Sequence, residues 1–209
     1  MLATNRLRVH HLGMARRKGI YCLEVGEWYG SLKEKTSVEP MLELLRQSPL
    51  RVPFIHRDIA TEGELRFYLS KWVQGRHRAY PILYLAFHGS PGCINLNKEN
   101  GRPTTIGTDD LFSHLEGKCK GRIVHFGACS VLDVHGKTMN RSLAQSGAAA
   151  ISGFRSDVDW TQAAFLEMLY LSELQHNQFV RSGIHAVERR VNTTASKLGK
   201  SLRFRICVK

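Results

Sequence analysis

This sequence lacks any sign of paired cysteine. Its 209 residues hold five cysteines, Cys22, Cys93, Cys119, Cys129 and Cys207, an odd number at irregular spacing with no Cys-x-x-Cys. That excludes a disulfide framework and a zinc site built on cysteine pairs. Free thiols persist in a reducing compartment, so a cytoplasmic location is expected. No apolar run reaches the roughly 18 to 20 residues of a membrane span. The first 18 residues lack the continuous apolar core of a secretory signal, and no membrane partner is expected. No glycine-rich run leads to Gly-Lys-Ser/Thr, so Ser90-Pro91-Gly92 is a turn and not a phosphate loop. Metal-ligand spacing, internal repeats and low-complexity segments are also missing.

Charge is plentiful but unevenly spread. The net charge is +12. Residues 1–18 carry +5 and residues 181–209 carry +7, which leaves residues 19–180 balanced. The expected organisation is therefore a basic, flexible tail at residues 1–18 and a single domain over residues 19–209. Basic ends of this kind can hold nucleic acid or an acidic protein, although a charge run is more often a solvated face.

Hydrophobic patterning supplies the elements. Strands are expected at Ile20–Gly26, Val52–His56, Pro81–Phe87, Arg122–Phe126, Ala148–Gly153 and Leu202–Val208. Helices are expected at Val38–Gln47, after the capping box Thr61-Glu62-Gly63-Glu64, from Thr108 to Leu115, and over 137–145, 161–174 and 179–191. Cys93-Ile94-Asn95-Leu96, after the Ser90-Pro91-Gly92 turn, reads as a small hairpin arm. Alternation of this kind predicts an α/β fold, a mainly parallel central sheet of about six strands flanked by helices in three layers.

Two of these strands end in chemistry. Ile82-Leu83-Tyr84-Leu85-Ala86-Phe87 runs into His88-Gly89, and Ile123-Val124-His125-Phe126 runs through Gly127-Ala128 into Cys129-Ser130. Open α/β sheets carry ligands at the carboxyl ends of their strands. A cysteine there is, by itself, more often a small core residue than a nucleophile. The His-Gly partner shifts that balance, because an imidazole can move the proton that thiol acyl transfer requires. The amides of Gly89 and Cys129 can serve an oxyanion hole, and no cofactor is needed. His125, Trp72 and Trp160 are expected to be interior residues, and the other four cysteines structural.

The paired ends Phe87-His88-Gly89 and Gly127-Ala128-Cys129, 41 residues apart from His to Cys, resemble those of the caspase-like cysteine peptidases. That clan includes caspases, legumain, gingipain, separase and the bacterial CHAT proteases, and the similarity spans roughly residues 19–175. It implies a caspase-like fold, an endopeptidase with His88 and Cys129 as catalytic dyad, a protein or peptide substrate, and activation by a partner protein, by formation of a homodimer or by processing. Separase and CHAT proteases often continue with Leu-Trp-Asp-Val-x-Asp; this chain has Arg155-Ser156-Asp157-Val158-Asp159-Trp160. Only the Asp-Val pair matches. The resemblance implies that Asp157 and Asp159 face a specificity pocket for a basic residue, against the plainer reading of a turn and a helix cap. A serine two places after the cysteine is replaced by Val131. Two other readings of the scaffold remain beside this one: a non-catalytic binding module using its basic ends, and a flavodoxin-like nucleotide or signalling domain.

Overall fold

The computed structural model describes residues 17–26, 33, 36–99 and 102–209. The expected tail, residues 1–18, lies outside them except for Arg17 and Lys18. Lys18 is already docked: its N–H and ammonium bond the side chain and carbonyl of Gln175.

A six-stranded sheet forms the middle layer. Its strands are β1 (Ile20–Glu24), β2 (Phe54–Asp58), β3 (Ile82–Ala86), β7 (Ile123–Gly127), β8 (Ala150–Phe154) and β9 (Phe204–Val208), in the order β2-β1-β3-β7-β8-β9. All neighbours are parallel except β8 and β9. A separate antiparallel sheet joins β4 (His88–Ser90), β5 (Cys93–Glu99) and β6 (Arg102–Gly107). Thus His88 belongs to the arm as well as to the end of the third core strand. The second strand begins two residues later than expected, at Phe54, and β6 and the short helix α7 (Ser196–Ser201) were not anticipated.

The apolar runs explain the layering, because alternate residues of each central strand bury on opposite faces. Leu83, Leu85, Val124 and Phe126 pack with Leu65, Leu69 and Trp72 of α2 (Glu62–Trp72), Phe112 of α3 (Thr108–His114) and Met139 of α4 (Gly136–Ser146). Ile82, Tyr84 and Ile123 pack on the other face with Leu42 of α1 (Glu39–Gln47), Leu166 and Tyr170 of α5 (Trp160–Glu173) and Val187 of α6 (Arg181–Thr194). Among the described residues no helix is long and apolar enough to cross a membrane.

Helix entry follows local chemistry. The Thr61 hydroxyl accepts from the Glu64 N–H at 3.2 Å while the Glu64 carboxylate accepts from Thr61 N–H at 3.1 Å, the reciprocal capping box. Thr61→Ala is expected to lower unfolding stability by about 1 kcal/mol, measured by urea denaturation, without altering the fold.

Candidate active site

Strand register brings the two reactive ends together. Ala86 of β3 lies opposite Gly127 of β7, so His88 and Cys129 each stand two residues past a paired position. Phe87 N–H still donates to the Gly127 carbonyl at 3.3 Å, holding the chains together as they leave the sheet. Both side chains line one cavity of about 330 Å³, together with Val38, Phe87, Val158, Asp159, Trp160 and Glu167 among others. The cavity opens at the carboxyl ends of the parallel strands. There the chain order reverses between β1 and β3, the position at which open sheets accommodate ligands.

Glycine is required where these strand ends meet. A β-carbon on Gly89 would run into the Cys129 carbonyl oxygen and come within 2.7 Å of a Val131 methyl. The missing side chain of Gly89 therefore serves the chain itself, letting the arm lie against the cysteine loop. Among the described residues the Cys129 N–H meets no acceptor, which leaves it available to an oxyanion.

The loop after β8 fixes the thiol. Val158 N–H donates to Cys129 Sγ at 3.4 Å, and the thiol in turn reaches the Val158 carbonyl at 3.9 Å. Ser130 takes a left-handed conformation, φ 55°, sparsely populated for a residue with a β-carbon. That corner is held from the same loop: Ser130 N–H donates to the Ser156 carbonyl at 3.0 Å, and its hydroxyl to the Asp157 carboxylate at 2.8 Å.

The two acids expected in the pocket separate. Asp157 is exposed, holds Ser130 and does not line the cavity. Asp159 does line it, yet its carboxylate also caps α5, accepting from Gln162 N–H at 2.9 Å. Trp160, expected in the interior, is 37% exposed on the cavity wall. Helix α5 starts at Trp160 itself, which puts the indole at the helix mouth and not on its buried face.

Two buried glutamates were absent from the expected site. Glu24, 1% exposed, ends β1 and accepts from Val38 N–H at 2.8 Å, from the Ser37 hydroxyl at 2.6 Å and from His56 at 2.7 Å, so it fixes the Val38 wall. Glu167 of α5, 3% exposed, accepts from the Tyr84 hydroxyl at 2.7 Å and from His125 Nε2 at 3.0 Å; His125 Nδ1 meets the Ser152 hydroxyl at 3.0 Å. Each carried a visible signal, a lone acid closing the apolar strand Ile20–Leu23 and one inside the apolar stretch Ala163–Leu171. His125 is fully buried among hydrogen-bonding partners, as expected. Among the described residues no group of three or more His, Cys, Asp or Glu side chains is arranged to hold a metal ion.

The fold is caspase-like. A secreted C11 cysteine protease from Bacteroides thetaiotaomicron, solved with an irreversible peptide inhibitor, superposes with a TM-score of 0.50 at 11% identity over 88% of this chain. This chain spans 60% of that protease. Caspase-1 from Spodoptera frugiperda is similar at a TM-score of 0.48 and 15% identity, over 78% of this chain and 70% of that one. By sequence the chain belongs to DUF6642, a family of unknown function whose model matches residues 17–207. No curated protein matches it.

The thiols differ by environment. Burial pushes the Cys119 thiol up to about 12 and raises those of Cys22 and Cys207, keeping all three protonated near neutral pH. Cys93 and Cys129 are half-exposed. Brief iodoacetamide treatment of native protein should therefore alkylate only Cys93 and Cys129, as read by peptide mapping. Gly89→Ala should fold but displace the Cys129 loop, lowering Cys129 modification by activity-directed probes about tenfold or more, a misplacement effect.

Proposed function

We propose that the protein is a cysteine endopeptidase with Cys129 as nucleophile and His88 as general acid and base. The observation that carries this reading is that both side chains, delivered by adjacent parallel strands, line a single cavity. In the proposed reaction Cys129 Sγ attacks the scissile carbonyl carbon while His88 takes the thiol proton. The imidazolium then returns that proton to the departing amine as the C–N bond breaks, leaving an acyl-enzyme. Water, deprotonated by His88, cleaves the thioester and restores the thiol. The N–H groups of Cys129 and Gly89 would hold the oxyanion, a contribution of typically about 2.7 to 4 kcal/mol per donor.

The substrate is a protein or peptide, cut after a basic residue. Apolar walls at Val38, Val158, Ala163 and Ala164 suit an aliphatic stem, and the acids Asp159 and Glu167 suit a cation at its end. Asp157 acts in this reading as a positioning residue through Ser130. The catalytic unit would be residues 19–209, acting in the cytoplasm and activated by a partner protein, by homodimer formation or by processing. Kinship to the CHAT and separase group is part of the same proposal, through Asp157-Val158.

An arginine-directed peptidyl acyloxymethyl ketone should add covalently to Cys129 alone, seen by intact mass and site mapping. Cys129→Ala should abolish the adduct and His88→Ala should slow it about 100-fold or more. Labelling of Cys129 no faster than Cys93 would overturn the reading; steeply salt-dependent nucleic-acid binding without thiol chemistry would favour a binding module.

A further inference from the structure

Glu167 stands out among the cavity residues as a buried carboxyl met by a tyrosine hydroxyl and an imidazole and, among the described residues lining the cavity, by no lysine or arginine. It comes from the middle of α5 and reaches the end of β7, where Gly127 makes room: a β-carbon there would collide with the Tyr84 ring and lie 2.8 Å from Glu167 Oε1. One oxygen accepts from Tyr84 and the other from His125. Each hydrogen is used once if the Ser152 hydroxyl donates to His125 Nδ1, an assignment that follows from the partners. Burial and the neighbouring Glu167 charge raise the Tyr84 hydroxyl well above its ordinary value, so it remains a donor.

A carboxylate oxygen accepts two hydrogen bonds, and here each has received one. Glu167 lines the cavity, and no lysine or arginine does so among the described residues. A buried carboxyl next to a cavity is a favourable place for a ligand's counter-charge. The other candidate acids are committed elsewhere, Asp159 to the α5 cap and Asp157 to Ser130. Val158, Ala163 and Ala164 line the same cavity as Cys129 and Glu167, and their apolar side chains offer a substrate cation no competing acceptor.

We propose that Glu167 is the specificity-determining residue: its carboxylate, held by Tyr84 and His125, receives the guanidinium or ammonium group of the substrate residue whose carbonyl Cys129 attacks. This rests on the peptidase reading and names what selects its substrate. Asp159 at the mouth is secondary, and the network of Tyr84, His125 and Ser152 positions the selecting carboxylate.

Citrulline has nearly the shape of arginine without its charge, so the test compares arginine and citrulline versions of one peptidyl acyloxymethyl ketone by rate of Cys129 labelling. Wild type should prefer arginine by about 100-fold or more, as sites built around a specific polar contact do. Glu167→Gln should bring the two rates within about fivefold, chiefly by loss of the arginine rate, whereas Asp159→Asn should keep most of the preference. Ala164→Lys, one turn before Glu167 on the same helix face, should place a tethered ammonium in the cavity and suppress the arginine rate likewise. It decides the case if Glu167→Gln does not fold. Equal rates in wild type, a preference that survives Glu167→Gln, or one lost only in Asp159→Asn would overturn the proposal while leaving the peptidase standing. Failure of wild type to label at Cys129 with either probe would overturn the peptidase reading and this inference with it.

Discussion

A carboxylate withdrawn from water must be hydrogen-bonded, and the arrangement of this site follows from meeting that demand twice. Glu167 draws a hydroxyl from β3 and an imidazole from β7 towards α5, and Ser152 of β8 completes the chain of contacts. Three neighbouring strands and the helix that covers them are thereby locked in one relative position. Removing a single partner would leave a buried charge short of a donor, which is costlier than the net value of the bond itself. Glu24 does the same at the other wall, tying the end of β1 to Ser37, Val38 and His56. The cavity lies between these two anchors.

The reactive loop depends on a second constraint, the absence of side-chain bulk where the backbones converge. Gly89 lies on the Cys129 carbonyl, and Gly127 leaves space for Tyr84 and Glu167. With those positions filled by hydrogen, the strained Ser130 corner can be held by Asp157, and Val158 can bracket the sulfur. Conformational strain of this kind clusters at functional sites, where it preorganises them. Here it is stabilised by contacts from a loop three positions further along the sheet order than β1.

Much of the fold was legible because its central strands are nearly continuous apolar runs. Ile82–Ala86 and Ile123–Phe126 can only be buried on both faces, and turn residues separate them from helices with regular apolar stripes. The capping box at Thr61 fixed one helix start to the residue. Strand β6, Arg102 to Gly107, was hidden by its polar composition, with Ile106 alone packing into the core beside Ile94 and Leu96 of the arm. That His88 and Cys129 stand side by side at one cavity was legible through the strand ends that carry them. The roles of Asp157 and Asp159 stayed open between pocket and cap, because a five-residue loop can turn either acid inward, and only the Ser130 and Gln162 contacts decide. Glu167 showed in the sequence only as a lone acid in an apolar stretch; its significance lies in which strands α5 crosses, a property of tertiary packing.

The central claim is that Cys129 attacks a carbonyl whose side chain occupies the adjoining cavity. A crystal structure of the protein reacted with an arginine peptidyl acyloxymethyl ketone tests it most directly. The account predicts a thioether from Cys129 Sγ, His88 within hydrogen-bonding reach of the trapped group, and the guanidinium against the Glu167 carboxylate. Attachment at Cys93, or an arginine side chain lying outside the cavity, would contradict it.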